Sequence, residues 1–326
     1  MFSTYRKSKK NQVLSPENIN ITLSSITHTP NQLTQDLKDK LNSLEYKLNQ
    51  QVINQKTAIS ILSSAIQRSF VLLGKRKKPL ASFLFLGPTG VGKTETAKAL
   101  NYIFFKDIPL IRFDMSLYQS KNDIPKLIGS SETNQSGQLT NALRNNPYGV
   151  LLLDEIEKAD RDLINIFLTI FDEGYFTDGN GKRVDCKNLI IIATSNAGTN
   201  LLFANSSSTI NPIIQTNPIS FLIENNLFSP EFLNRFDDVI LFNPIDKNSA
   251  ETIAKAKLQI IINDIYKLYK VKISVQDEII NQVVASSNYN QFGARELERT
   301  LRQTIEDKIV KLILENKVKE GDAISL

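Results

Sequence analysis

Residues 82 to 94 read Ser-Phe-Leu-Phe-Leu-Gly-Pro-Thr-Gly-Val-Gly-Lys-Thr, and the fold follows from how this stretch divides. Ser82 to Leu86 is a short apolar run of the kind that forms a buried strand. Gly87, Pro88, Thr89, Gly90, Val91 and Gly92 follow as a loop. Its three glycines let the backbone curl until successive N–H groups converge on a phosphate chain. Lys93 adds a point charge for the outer phosphates, and the Thr94 hydroxyl can join a magnesium shell. Glu95 to Leu100 reads as the start of a helix, whose unpaired N–H groups and dipole favour an anion at the same place. Strand, glycine loop and helix in this order predict a bound nucleotide.

Outward from this stretch, apolar strands alternate with helices. The strand candidates are Ser82–Leu86, Leu110–Phe113, Val150–Leu153, Leu189–Ala193 and Val239–Phe242. The pattern predicts an α/β fold, a parallel five-stranded sheet covered by helices on both faces. Upstream, Leu33, Leu37, Leu41, Leu44 and Leu48 make Asn31 to Leu48 an amphipathic helix, and Ala58 to Leu73 repeats the spacing. Pro244 marks a boundary, beyond which the chain reads as mostly helical with strand candidates at Lys272–Val275 and at its extreme end. The expected division is 1–48 as basic tail and linker helix, 49–243 as the nucleotide-binding domain, and 244–326 as a small helical domain. Asn205 to Pro218, rich in Ser, Asn and Pro, reads as a long loop.

Composition narrows the classes. With 41% hydrophobic residues in 326, a sizeable core is available. No apolar run approaches the ~18 residues that cross a bilayer, so no membrane association is expected. The single cysteine, Cys186, excludes internal disulfides and suits a reducing compartment. The single histidine, His28, cannot build a zinc site with it. A net charge of +5 from 39 basic and 34 acidic side chains is too balanced to indicate nucleic-acid binding. Two basic clusters, Arg6 to Lys10 and Lys75 to Lys78, read as a frayed tail and a solvated turn.

A second constellation completes the chemistry. Gly149-Val-Leu-Leu-Leu-Asp-Glu155 is an apolar strand that delivers two acids to the carboxyl edge of the sheet, where the phosphates should sit. Asp154 is placed to hold magnesium through water, and Glu155 to orient and deprotonate the water attacking the γ-phosphate. Leu189 to Asn196 is a further strand with a polar tip, and the Asn196 amide can read both the γ-phosphate and the attacking water. Ser195 and Asn196 could also simply cap the following turn.

The motif run as a whole resembles the second ATPase module of the Clp family of AAA+ protein-remodelling ATPases. It comprises Phe83 to Glu95, Phe113-Asp-Met-Ser116, Leu153-Asp-Glu-Ile-Glu-Lys-Ala159, Thr177-Asp-Gly-Asn-Gly-Lys182, Thr194-Ser-Asn196, Ser229 to Asp237 and Phe292-Gly-Ala-Arg295. The match covers roughly residues 14 to 326, as a shortened protein or a piece of one. The resemblance implies an AAA+ P-loop NTPase with a C-terminal lid, ATP and Mg2+ as cofactors, and a homo- or hetero-hexameric ring. Arg235 matches the family's arginine finger, which reaches the nucleotide of a neighbouring subunit. Arg295 matches the sensor arginine of the lid. Val52 and Ile53 fall in the family's adenine-binding Val-Ile-Gly-Gln, with Asn54 in place of the glycine.

Two departures shape the expected function. The stretch Ile128 to Leu139, where the family carries an aromatic gripping loop, is polar and has no aromatic residue; Tyr118 matches a position outside that loop. The segment Leu201 to Ile223 has no Ile-Gly-Phe-like tripeptide and no glycine, so docking to a Clp peptidase is not expected. The expected function is an ATP-hydrolysing ring ATPase that unfolds or remodels protein clients. The alternative is a structural or regulatory subunit of a mixed ring that does not grip substrate. A nucleic-acid motor has only the basic clusters in its favour. A cytoplasmic setting is expected, or else a plastid or other organelle lumen.

Overall fold

The computed structural model describes residues 33–71, 77–132, 135–199, 218–315 and 321–325. The basic tail, His28 and most of the long loop from 201 onward lie outside them. Five parallel strands form the sheet: β1 (Ala81–Leu86), β2 (Ile111–Asp114), β3 (Tyr148–Asp154), β4 (Asn188–Ser195) and β5 (Asp238–Leu241), in the order β2-β3-β4-β1-β5. All four pairings are parallel. The strand carrying the glycine loop therefore lies between β4 and β5, where the order of connections reverses and the carboxyl ends open a crevice.

The continuous apolar runs of β1, β3 and β4 are explained by burial on both faces. Side chains alternate between two cores. Phe83, Phe85, Val150, Leu152, Ile190 and Ile192 face one, shared with α1 (Gln35–Asn42), α2 (Leu44–Gln51), α3 (Lys56–Val71) and α4 (Lys93–Phe104). Leu84, Leu86, Leu151, Leu153 and Ile191 face the other, under α5 (Arg161–Glu173). The edge strand β2 is only partly buried, which admits Arg112 among its apolar neighbours.

The amphipathic stretch before the sheet is two helices, not one. They meet at Ser43, whose hydroxyl donates to the Asp39 carbonyl at 2.6 Å and competes with the helix ladder. The predicted apolar face is kept, with Leu37, Leu41, Leu44 and Leu48 all buried. A helix at Pro218–Glu224 occupies the end of the segment read as loop.

Beyond β5 the chain forms a mainly helical C-terminal part. It contains α6 (Lys247–Tyr269), a helix at Asp277–Ser286, α7 (Ala294–Leu301) and a helix at Asp307–Leu314. Lys272–Ser274 pairs in parallel with Ala323–Ser325. Its apolar residues, among them Ile253, Leu258, Val283, Leu297 and Leu301, continue the first core rather than forming a separate one. Among the described residues no helix is long and apolar enough to cross a membrane.

Candidate active site

The glycine loop, the tips of β3 and β4, the Val52–Ile53 segment and the helical part enclose a cleft of about 440 Å³. Thr89 to Glu95, Val52, Ile53, Asp154, Glu155, Asn196 and Arg295 all line it. Gly87 and Pro88 stand behind the wall, where their carbonyls accept hydrogen bonds from Lys93 Nζ at 2.5 and 2.8 Å. Lys93 Nζ also donates to Asn196 Oδ1 at 2.7 Å, so the lysine and the tip of β4 are in direct contact. Burial, with 7% of the residue exposed, pulls the Lys93 ammonium down to about 8 from its ordinary 10.5. The carboxylates of Glu157, Asp154 and Glu155 oppose that shift, and Arg295 adds to it.

Asp154 accepts from Arg112 Nη2 at 2.6 Å and from the Thr194 hydroxyl. Each carboxylate oxygen keeps a lone pair for a metal-bound water. Thr94 and Asp154 line the same cleft and offer hard oxygen ligands, the donor type that magnesium selects. Among the described residues no group of three or more His, Cys, Asp or Glu could hold a metal by itself. A magnesium ion here would therefore rely on phosphate oxygens and water for the rest of its shell.

Glu155 follows the strand with φ 57°, in the left-handed region. That conformation costs a non-glycine residue of order ~1–3 kcal/mol and is tolerated where the surroundings over-determine it. Here the Glu155 N–H donates to Thr194 Oγ1 at 3.2 Å, and its carboxylate lies 2.6 Å from Lys158 Nζ. Glu157 accepts from the Asn196 backbone N–H at 3.1 Å, which ties the β4 tip to the turn after β3.

On the opposite wall, the Ala294 N–H donates to the Gly90 carbonyl at 3.0 Å. The backbone of Gly293 passes so close that a Cβ there would lie 2.3 Å from the Thr89 carbonyl oxygen. That contact sets Arg295, in the first turn of α7, at the mouth of the loop. Gln55, fully buried, donates to the Val91 and Asn243 carbonyls and accepts from the Asn243 N–H. It thereby clamps the Val52–Ile53 segment onto the glycine loop. Asn54 takes φ 61°, a conformation that asparagine tolerates better than other side chains.

Arg235 is elsewhere. It does not line the cleft. Its carbonyl accepts from Ser82 Oγ at 3.2 Å, at the amino end of β1. Five residue steps separate Ser82 from Gly87, about 16 Å at the usual strand rise. An arginine side chain cannot span that distance to its own phosphate loop.

The Gly129–Ser130 and Gln135–Ser136 segments pair as a small antiparallel hairpin. The Gly179 N–H donates to the Ile128 carbonyl, and the Ser131 N–H donates to the Gly179 carbonyl, both at 3.1 Å. Ser131, Glu132, Gln135 and Ser136 are exposed. Tyr118 is buried, and its hydroxyl donates to Gln138 Oε1 at 2.8 Å, so it is not available at the hairpin tip.

Comparison with known proteins accounts for this architecture. Residues 78–239 match the model of the AAA domain (Cdc48 subfamily). Residues 245–326 match that of the C-terminal, D2-small domain of ClpB protein. The chain belongs to the Clp family of AAA+ ATPases. It is 39% identical over 301 residues to the chloroplastic chaperone protein ClpB3 of Arabidopsis thaliana, covering 90% of this chain and 31% of that one. It is 39% identical over 299 residues to chaperone protein ClpB 1 of Synechococcus elongatus, and 37% identical over 321 residues to chaperone protein ClpB of Staphylococcus epidermidis. These alignments cover 90% and 97% of this chain and 34% and 37% of the relatives. This Clp-family chain thus spans about a third of the length of the curated relatives it matches.

Sequence reading missed several residues in the cleft. Arg112 and Thr194 hold Asp154, and Ile253, Ala256, Lys257 and Ile260 of α6 line the far wall. A charge inside a short apolar strand was the available signal for Arg112. The α6 residues lie on an ordinary amphipathic helix and carry no comparable mark.

Proposed function

We propose that this chain hydrolyses ATP in a ring assembled from its own copies or with related subunits, and that the cycle remodels protein clients. In this reading residues 49–243 form the nucleotide-binding domain, 244–326 the lid, and 1–48 the segment leading into them. The observation that carries it is the convergence of Lys93, Thr94, Asp154, Glu155, Asn196 and Arg295 on one cleft. The glycine loop and Lys93 hold the triphosphate, with the adenine against Val52 and Ile53. Thr94 and, through water, Asp154 would hold magnesium, which would supply charge neutralisation for the phosphates. Arg112 and Thr194 keep the Asp154 carboxylate aimed.

Glu155 accepts the proton of the attacking water, its ion pair with Lys158 being made through one carboxylate oxygen, Oε2. Asn196 reads the γ-phosphate with its amide N–H donors while Oδ1 accepts from Lys93. Arg295 adds charge from the lid, and Arg235 of a neighbouring subunit completes the site. A guanidinium supplied across an interface is worth ~10³–10⁵ in rate in other nucleotide hydrolases.

The direct test is ATP turnover as a function of protein concentration, with and without saturating unfolded polypeptide. The expected result is turnover per chain that rises steeply as rings form and rises again with unfolded polypeptide. Concentration-independent turnover would remove the shared site. Steady hydrolysis with no response to polypeptide would remove client remodelling. The polar hairpin would then mark a subunit that contributes motion but no grip.

A further inference from the structure

Arg235 is held in a defined direction by more than its own turn. The Asp237 N–H donates to the Ser82 carbonyl at 2.8 Å, and the Asp237 carboxylate accepts from the Ser82 N–H at 2.7 Å, so the segment is tied to β1. Phe232 and Phe236, on either side of Arg235, are buried and pack on Phe171 with ring centroids 6.3 and 4.8 Å away. Phe171 precedes Asp172, and the Asp172 Oδ1 lies 3.1 Å from Arg235 Nη1.

The other carboxylate nearby, Glu231, is 3.9 Å from Nη2 and 67% exposed, a pair of little energetic weight. Arg235 Nε is buried with no acceptor among the described residues. The aromatic cluster thus sets the distance between the two backbones, and among the described residues Asp172 is the near carboxylate that sets where the guanidinium points, its Oδ1 also standing 3.9 Å from Lys78 Nζ.

An ion pair of this exposure contributes only ~0–1 kcal/mol to stability. Its effect is therefore on orientation. Asp172 also sits near the end of α5, which starts at the Asp160 cap just after the Glu155–Lys158 turn. At 13 residues, α5 spans about 20 Å. One rigid helix joins the turn that holds a subunit's own base to the carboxylate that holds its outward arginine.

We propose that Asp172 is a positioning residue that aims Arg235 at the nucleotide of the next subunit, with α5 tying that aim to the subunit's own Glu155 turn. This rests on the reading of Arg235 as a finger acting between subunits. The test compares D172N, R235A and E155Q in the full chain, alone and mixed in pairs. D172N alone should lose ~10²-fold in kcat, the cost of misplacing a catalytic group by about an ångström, with its ATP KM unchanged. E155Q subunits are inactive but keep an aimed finger, so mixing them with D172N should restore hydrolysis at the D172N sites. A D172N and R235A mixture should stay inactive, because neither supplies an aimed finger, and D172E alone should recover part of the rate.

Wild-type turnover by D172N overturns the proposal. So does a loss that E155Q subunits cannot restore, which is what a folding defect would give. If R235A is rescued by E155Q while D172N is not, the finger reading survives and the positioning role falls. Wild-type turnover by R235A alone sinks both.

Discussion

The two edges of the sheet are built on different rules. At the carboxyl edge, most polar groups are buried against partners, Glu157 Oε2 being the exception. Lys93 reaches three acceptors, Asp154 has both oxygens engaged, and Gln55 is fully enclosed. At the amino edge, Arg235 and Asp172 form a half-exposed pair on an aromatic platform, with a third of the arginine side chain accessible. Burial at the first edge makes a binding site within one chain. Exposure at the second leaves a cation available to something outside it. The comparison separates affinity, which one chain should provide, from rate, which should need an assembly.

The sharpest way to break that separation is at the junction of binding and chemistry. Glu155→Gln keeps the size and left-handed turn of the residue but removes the proton acceptor. Turnover should fall at least ~10²-fold, as expected for loss of a general base, while ATP binding measured with a fluorescent analogue stays intact. Near-normal turnover would take Glu155 out of that role.

A smaller effect is expected where the helical part meets the phosphate loop. Gly293 adopts φ 66°, ψ −153°, a region essentially reserved for glycine, and its Cα packs against Gly90 and the Thr89 carbonyl. Gly293→Ala should cost of order ~1–3 kcal/mol of that docking, read as a roughly tenfold rise in the ATP concentration at half-saturation. An unchanged titration curve would mean that the lid does not contribute to affinity through this contact.

Much of this architecture could be read in the sequence, and the reasons for the remainder are physical. The central strands were visible because burial on both faces makes them continuous apolar runs. The glycine loop and Asp154–Glu155 were visible because their chemistry needs residues that are close in sequence. What stayed hidden depends on long-range closure. Arg112 lies 42 positions from its partner Asp154, Thr194 lies 40, and Gln55 lies 188 from Asn243. No local pattern announces such pairs. Asp172 is similarly silent, an acid at the end of an amphipathic helix until the aromatic cluster brings Arg235 beside it. Ser43 shows the opposite failure, since a regular spacing of leucines concealed a break made by one hydroxyl.

The mildest probe of the buried edge is pH. Burial disfavours the Lys93 charge and pulls the ammonium down to about 8. Phosphate oxygens placed against Nζ favour the charged form, so the value must be higher with ATP bound. Well below pH 8 the lysine is protonated in both states, and it contributes no pH dependence to affinity. Above pH 8, binding must take up a proton, and affinity should weaken toward tenfold per pH unit until the bound value is reached. Equilibrium titration of ATP between pH 7 and 9.5 measures this. A flat affinity across that range would mean that Lys93 is not the group that carries the charge into the phosphate contact.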